Sequence, residues 1–305
     1  MALEDSELLS RAQGCLLGQI AGDSLGGQVE FSGSSGQITE LHDGGYWETL
    51  AGQPTDDSEM ALMLARSILR QGSYSPDAAR QAYAWWFASE PFDCGNTIGA
   101  AMRGAPNAQS QANGSLMRIS PLAIWGHALP VAELAEHARS DARLTHPHPV
   151  CQDAAAAYVV AVAAAVAGAG PRECHERACA RAREEAVRAV LAAAGAGPPS
   201  NYLENIGWVL IALHNAFYQL LHAPSAAEGI IATVTAGGDT DTNAAIAGAL
   251  LGAVYGRDAI PVSWRQQILS CRPLNGLPHV HQPRPRAFWP VDVLDVAERL
   301  AVLGS

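Results

Sequence analysis

Apolar residues recur at helical spacing along most of this chain, and no other feature limits the possible folds as strongly. A clear series comprises Leu8, Ala12, Cys15, Leu16 and Ile20, which places one apolar stripe along a helix. Alternating patterns typical of strands are sparse. Helical spacing predicts further helices over 76–88, 116–126, 131–142, 172–194, 202–221, 226–235, 243–255 and 291–303. The sequence therefore predicts an all-α fold, a compact bundle of many helices.

The breaks between these helical stretches are rich in glycine and proline, but none of them separates two clear domains. A length of 305 residues is compatible with one large domain or two small ones. No tandem repeat or low-complexity tail is evident, and the break at 195–200 only separates predicted helices. We therefore expect a single domain over residues 1–305.

An alanine- and valine-rich run at 154–167 is the most apolar part of the chain. It covers about four helical turns, fewer than the roughly 20 residues that cross a bilayer, and a Gly-Ala-Gly-Pro sequence follows it at 168–171. It predicts a buried core helix and no membrane span. The predicted helix over 243–255 is rich in alanine and glycine, which lets helix backbones approach closely.

The acidic balance of the chain excludes two classes of partner. A formal net charge of −11 leaves no basic surface for non-specific nucleic-acid binding or for attraction to anionic membranes. The six cysteines are scattered without metal-ligand spacing, so we interpret them as reduced thiols. The acidic N-terminus lacks the basic and apolar regions of a secretory signal. We therefore expect a cytoplasmic protein.

Two distant segments concentrate acids and hydroxyls at predicted helix starts. One contains Asp56 and Asp57, and the other contains Asp239 and Asp241. Such residues can cap helices, but one cap needs only one of them, and adjacent carboxylates repel each other unless a cation neutralises them. Carboxylate and hydroxyl oxygens suit Mg²⁺ or Mn²⁺. Capping and metal binding both remain open, and four converging carboxylates are enough to bracket two ions.

Two further segments have the residue types of a binding site. Asn113-Gly114-Ser115 precedes an apolar helix, and such a turn can present backbone N–H groups to a phosphate, although Asn-Gly is also an ordinary turn. Glu30 lies between Val29 and Phe31. Its apolar neighbours favour a partly buried, functional carboxylate over a solvated one.

Taken in order, these segments resemble the ADP-ribosylglycohydrolase family, including its dinitrogenase-reductase-activating and ADP-ribosylarginine branches. The matching motifs are Gly14-Cys15-Leu16-Leu17-Gly18, Ala21-Gly22-Asp23-Ser24-Leu25-Gly26, Glu30-Phe31, Thr55-Asp56-Asp57-Ser58-Glu59-Met60, Asn113-Gly114-Ser115-Leu116-Met117-Arg118, Thr145-His146 and Gly237-Gly238-Asp239-Thr240-Asp241-Thr242. The resemblance spans residues 11–256. It implies an all-α fold with a cleft that holds two divalent cations, Mg²⁺ or Mn²⁺.

The resemblance also implies a role for each matching residue. The implied metal ligands are Thr55, Asp56, Asp57, Asp239, Asp241 and Thr242. The residues implied to line the ADP-ribose site are Asn113, Gly114, Ser115, Met117 and His146, of which His146 has a structural role as its alternative. Glu30 would bind a cation or gate the cleft. Glu30, Asp56 and Asp241 are the candidates to accept a proton from the attacking water, and a route through protonation of the ribose ring oxygen stays open.

Two positions depart from the dinitrogenase-reductase-activating branch. Asn96 occurs where that branch has an aspartate, and an asparagine cannot act as a base at this position. Trp208 replaces a tyrosine that can stack on adenine, and a tryptophan preserves the stacking, although Trp208 is equally interpretable as a core aromatic.

The activity that the resemblance implies is removal of ADP-ribose from modified protein side chains, with ADP-ribose as a product. N-linked ADP-ribosylarginine is the expected substrate. The alternatives are O-linked serine or threonine substrates, free ADP-ribose derivatives, and a non-catalytic module that binds ADP-ribose. Loss of the metal-site acids would support the binding module, and all of those acids are present.

Overall fold

The computed structural model describes residues 3–31 and 38–305. In these ranges the chain forms fourteen α-helices and four short 3₁₀-helices, and the strand-like pairs are two isolated bridges. The α-helices are α1 (Leu3–Gly27), α2 (Asp56–Gln71), α3 (Pro76–Ala88), α4 (Asn96–Met102), α5 (Ser120–Trp125), α6 (Val131–Arg143), α7 (Pro149–Val166), α8 (Pro171–Arg181), α9 (Glu185–Ala194), α10 (Val209–His222), α11 (Ala226–Ala236), α12 (Thr240–Tyr255), α13 (Val262–Ser270) and α14 (Val293–Leu303). The predicted all-α fold is confirmed.

The predicted helix over 172–194 is divided in two. Ala182 ends α8 in an extended conformation, and the backbone N–H groups of Arg183 and Glu184 both donate to Asp153 Oδ2, at 2.6 and 2.8 Å. Asp153 lies on α7. Because its carboxylate accepts the N–H groups of the two residues just before α9 (Glu185–Ala194), these groups are not available to continue the hydrogen bonds of α8, and a new helix starts after them.

Two other helices start later than the periodicity predicts. Helix α10 begins at Val209 and not near 202, because Asn205 and Gly207 have left-handed φ angles of 55° and 82° that interrupt a helix. Helix α5 begins at Ser120, after a 3₁₀ turn over Asn113–Ser115. Both late starts leave irregular backbone that lines the cavity described below.

Helix α7 forms part of the core. It extends further towards the N-terminus than the predicted apolar run, and its 18 residues make it the one helix in the described ranges that is long and apolar enough to cross a membrane. Of that window, 89% is buried inside the protein. The core helix of a globular protein passes the same test of length and composition, which agrees with the predicted buried core helix.

Helices α1 and α12 run antiparallel in backbone contact along a line of glycines, which we call the glycine seam: Gly14, Gly18, Gly22 and Gly26 on α1, and Gly248 and Gly252 on α12. A Cβ added to Gly18 would lie 2.9 Å from the carbonyl carbon of Gly248 and closer still to its oxygen. A Cβ added to Gly252 would lie 2.6 Å from the carbonyl carbon of Gly14. Any larger side chain would therefore push the two helices apart.

Candidate active site

A cavity of about 440 Å³ opens where the C-terminal end of α1 meets the N-terminal ends of α2 and α12. Most of the residues predicted to form the site line it, namely Glu30, Asp56, Asn113, Gly114, Met117, His146, Asp239, Asp241 and Thr242. Four predicted residues do not line it: Thr55, Asp57 and Ser115, each almost fully buried, and Trp208, which lies beside it. The cavity therefore brings together residues that are more than 200 positions apart in the sequence.

The glycine seam brings Glu30 to the start of α12. A Cβ on Gly26 would overlap the backbone of Asp241, and Thr240 Oγ1 donates to the Gly26 carbonyl oxygen at 2.9 Å. The chain turns after Gly26, so Glu30 returns to the same place. Carboxylate oxygens of Glu30, Asp239 and Asp241 lie within 4.8 Å of one another, which is close enough for one cation to contact all three.

The acids at the start of α2 are held from outside that helix. Asp23, on α1, accepts hydrogen bonds from the backbone N–H groups of Thr55 and Ser58, at 3.0 and 2.9 Å. It therefore satisfies donors that an N-cap residue would ordinarily satisfy. Asp56 Oδ2 accepts a bond from the Gly95 N–H at 3.2 Å. Asp57 Oδ1 is buried and has no hydrogen-bond partner in the described part of the chain.

The capping interpretation does not account for these acids. Thr55 and Asp239 occupy the N-cap positions of α2 and α12, and neither side chain makes a capping hydrogen bond. Asp241 Oδ1 accepts a bond from the N–H of its neighbour Thr242, at 2.8 Å, which is not a capping bond. Several oxygen atoms of this cluster are therefore available to bind another group.

The electrostatics of the cluster favour a cation. Burial, reinforced by repulsion from neighbouring acids, raises the pKa of Glu30 and of Asp56 to about 7. The same causes raise the pKa of Asp57 and of Asp241 well above the usual range. No ion pair between described residues involves these four acids. The atoms that these acids offer to a ligand are all carboxylate oxygens, and Asp57 Oδ1 has no hydrogen-bond partner among the described residues. Such a set of oxygen ligands fits a hard divalent cation.

Comparison with known proteins identifies the family. The family model described as ADP-ribosylglycohydrolase matches residues 4–288. The chain belongs to the ADP-ribosylglycohydrolase family. The enzymes of this family hydrolyse bonds to ADP-ribose, and this ADP-ribosylglycohydrolase is a hydrolase of that kind.

Relatives of this ADP-ribosylglycohydrolase match over most of their length. The ADP-ribosyl-[dinitrogen reductase] glycohydrolase of Rhodospirillum rubrum is 33% identical over 276 residues, which cover 85% of this chain and 90% of the relative. The ADP-ribosylarginine hydrolase Tri1 of Pseudomonas putida is 26% identical, with coverage of 87% and 76%. A solved structure, an ADP-ribosylglycohydrolase-related protein complex, superposes with a TM-score of 0.82 at 26% identity and covers 98% of this chain and 100% of that chain.

One acid of the family motif has a structural partner in this ADP-ribosylglycohydrolase. Glu59 follows the cluster acids on α2, but Arg284 donates to both of its carboxylate oxygens at 2.8 Å. Trp86 Nε1 donates a third bond at 2.8 Å. With its negative charge paired and its oxygens occupied, Glu59 fastens α2 to the proline-rich segment that contains Arg284 and is not a free ligand.

The sequence interpretation assigned no role to Asp23 and overlooked Asp93. Asp93 lines the cavity three residues before Asn96, and burial followed by repulsion from Asp56 raises its pKa to about 10. Its segment therefore contains a carboxylate although Asn96 lacks one. Asp93 lies in an irregular segment between two helices, where no apolar periodicity marks a residue as buried. Asp23 was visible as a polar residue inside an apolar helix, which is a signal for a buried hydrogen-bonding role.

Trp208 lies beside the main cavity and not in it. Its Nε1 donates to Gln111 Oε1 at 3.0 Å, and its ring lines a pocket of about 410 Å³. The pocket and the main cavity share Ala112, Ile206 and Gly207 as lining residues. A ligand that extends from the acids across this shared wall would reach Trp208.

Proposed function

We propose that this protein removes ADP-ribose from arginine side chains of modified proteins and that two Mg²⁺ or Mn²⁺ ions assist it. The observation that carries this proposal is the buried cluster of carboxylates, without paired positive charge, in a cavity that the glycine seam assembles. The names of two relatives, an ADP-ribosylarginine hydrolase and a dinitrogen reductase glycohydrolase, support a protein-linked substrate. Residues 1–305 would act as one domain.

The residues proposed to hold the cations come from two parts of the chain. They are Thr55, Asp56, Asp57, Asp239, Asp241 and Thr242, and Glu30 lies close enough to Asp239 and Asp241 to contact a cation as well when it is not accepting a proton. Asn113 Nδ2 donates to Asp239 Oδ2 at 2.8 Å, so one oxygen of Asp239 is oriented and the other is left for a cation. When bound, the divalent cations would supply the positive charge that fixes the ribose hydroxyls and acidifies water.

Glu30 is the favoured proton acceptor among Glu30, Asp56 and Asp241. Trp47 Nε1 donates to Glu30 Oε2 at 2.6 Å, which holds the carboxylate in place and leaves Oε1 for proton transfer. A general base works best when its pKa lies near the operating pH; burial raises the pKa of Glu30 and of Asp56 alike to about 7, so the preference for Glu30 rests on the bond from Trp47. During hydrolysis, Glu30 Oε1 would take the proton of the attacking water.

The remaining cavity residues would bind the ADP-ribose portion of the substrate. Asn113, Gly114, Met117 and His146 line the wall that faces the acids. Gly114 leaves this wall open, because a Cβ there would lie 2.8 Å from Ile98 Cδ1 and 3.1 Å from His146 Cε1. Ser115 is fully buried and would support the turn and not contact ADP-ribose directly.

The test of this function is a panel of proteins carrying ADP-ribose on arginine, serine or threonine, assayed for released ADP-ribose. We expect the arginine linkage to be cleaved at least about tenfold faster, a barrier difference of roughly 1.4 kcal/mol. EDTA should abolish release, and Mg²⁺ or Mn²⁺ should restore it, because oxygen ligands bind hard cations reversibly. Preference for serine would reject the arginine assignment, full activity without metal would reject the cations, and binding of ADP-ribose without turnover would favour the non-catalytic module.

Trp208→Ala tests whether the neighbouring pocket receives the adenine. We expect ADP-ribose binding to weaken by roughly 1–3 kcal/mol, the usual value of a base–aromatic stack. Trp208→Phe is the matched control, since it keeps an aromatic face, although a smaller one, and loses the bond to Gln111. Calorimetric titration with ADP-ribose measures both variants. Wild-type affinity in a folded Trp208→Ala protein would leave Trp208 with a structural role only.

A further inference from the structure

A chain of buried polar groups ends at the cavity wall. Arg118 is fully buried; its Nε donates to Asp141 Oδ1 at 3.0 Å and its Nη1 donates to Thr145 Oγ1 at 2.8 Å. Thr145 Oγ1 lies 2.8 Å from His146 Nδ1. The other ring nitrogen, His146 Nε2, is buried and has no protein partner among the described residues. The imidazole is one of the groups lining the cavity.

The chemistry of these groups fixes where the protons lie. A guanidinium can only donate, so Thr145 Oγ1 accepts from Arg118, and its own proton points away from the positive charge. The remaining neighbour is His146 Nδ1, which must accept that proton. In the reverse arrangement, with a proton on Nδ1, the buried hydroxyl proton of Thr145 would have no acceptor, which costs free energy.

The imidazole is also neutral. Burial, and then the positive charge of Arg118, lower the pKa of His146 to about 3. Since Nδ1 accepts a hydrogen bond, the one ring proton is on Nε2. Gly114 packs directly against this atom, and a Cβ on Gly114 would lie 3.2 Å from Nε2 and cover it from that side. A buried N–H at a cavity wall that has no protein acceptor is available to donate to an acceptor atom of a ligand.

We propose that Arg118 and Thr145 are positioning residues that lock His146 as an uncharged Nε2–H donor, aimed into the cavity to bind an acceptor oxygen of the ligand. The identity of that ligand as ADP-ribose rests on the proposed function, whereas the lock itself does not. His146 therefore contacts the ligand, and the other two residues act through it.

The neutral state matters because of the acids that share the cavity. A protonated imidazole would attract carboxylates such as Glu30 and Asp241 and would compete with the cations for them. A neutral N–H still donates to a ligand oxygen but has little affinity for the cation ligands. A neutral His146 can therefore bind the ligand without adding a positive charge beside the acid cluster.

Two-bond ¹H–¹⁵N spectra of histidine-labelled protein in Mg²⁺ buffer test the lock directly. The chain has 10 histidines, and the signals missing from His146→Gln identify those of His146. We expect an unprotonated Nδ1 and a protonated Nε2 from neutral to mildly acidic pH, and an altered Nε2 shift when ADP-ribose is added. A protonated Nδ1 or an imidazolium in the wild-type protein would overturn the proposal, as would an Nε2 shift unchanged by bound ADP-ribose.

Thr145→Val removes the hydroxyl and nearly keeps its shape. We expect the Nδ1-protonated tautomer to appear and ADP-ribose affinity to fall about threefold to tenfold, the effect of one hydrogen bond. Thr145→Ser should restore both. A folded Thr145→Val protein with the wild-type tautomer and affinity would overturn the lock. If Thr145→Val does not fold, the wild-type spectra still decide, and a correct tautomer without any ADP-ribose binding would count against the proposed function and not against the lock.

Discussion

Asp241→Asn is expected to reduce divalent-metal affinity and ADP-ribose release together, each by at least about a hundredfold, while the fold survives. Asparagine has the size of aspartate and retains Oδ1, which can still accept the Thr242 N–H. What the substitution removes is one negative charge from the group formed with Glu30 and Asp239. A cation that contacts all three carboxylates would lose much of its binding free energy.

The stability of the metal-free variant is the second part of this prediction. Burial, and then repulsion from Glu30 and Asp57, raise the pKa of Asp241 well above its usual range. Because the unfolded chain carries this carboxyl charged at neutral pH and the fold disfavours the charge, burying Asp241 costs free energy, and a neutral amide avoids that cost. We therefore expect metal-free Asp241→Asn to unfold at a denaturant concentration equal to or higher than that of the metal-free wild type.

Asp77→Asn is the matched control for Asp241→Asn. Asp77 also lies in the first turn of a helix, but it is exposed and does not line the cavity. It should bind Mn²⁺ and release ADP-ribose as the wild type does. Calorimetry with Mn²⁺ and an assay on an arginine-modified protein measure both variants. Wild-type metal binding in Asp241→Asn would return this residue to a purely structural role.

Gly252→Ala is expected to destabilise the protein by at least the ~1–3 kcal/mol of ordinary overpacking, and Gly252→Leu is expected to abolish folding. The added Cβ would meet the backbone of Gly14 on α1, with the carbonyl carbon at 2.6 Å and the oxygen closer. A backbone carbonyl cannot rotate away as a side chain can, so the helices must separate. Separation of α1 from α12 would also pull Glu30 away from Asp241.

Helix propensity predicts the opposite change in stability for Gly252→Ala, so the measurement distinguishes steric restriction at the seam from intrinsic helix preference. Alanine is favoured over glycine inside a helix by about 1 kcal/mol, so a seam without steric restriction would give a more stable protein. Gly170→Ala is the control for the steric part alone, because Gly170 is the N-cap of α8 and not inside the helix, and a Cβ there meets no atom within 4 Å. Urea unfolding curves compare the two variants. A Gly252→Ala protein as stable as the wild type would show that the seam is not tightly packed.

The sequence predicted the helices well, because burying one face of a helix imposes a period on its apolar residues. It failed where a distant side chain competes with helix continuation. Asp153 ends the predicted 172–194 helix by accepting the N–H groups of Arg183 and Glu184, and no local pattern in that helix announces it. The late start of α10 has a local cause, because Asn205 and Gly207 adopt left-handed φ angles. The glycine in this stretch makes such a turn possible but does not by itself predict it.

For the site, the residue types predicted the chemistry but not the arrangement. The two acidic segments indicated oxygen ligands, yet only their joint match to family motifs related them to each other. Glu30 was expected near the metals, and the structure places it within ligand distance of Asp239 and Asp241. The positions of Asp93 and of the Arg118–Thr145–His146 chain depend on packing between helices, which periodicity does not report.

The hydrogen bonds from Thr55 and Ser58 to Asp23 have a consequence for the order of folding. Helix α2 lacks a side-chain cap of its own, so in a chain where α1 has not yet docked, its first turn would fray. Asp56 and Asp57 would then stay hydrated and apart from the other acids. The two acids would therefore enter the buried cluster only when α1 docks, and a metal ion would stabilise the finished fold without acting as its nucleus.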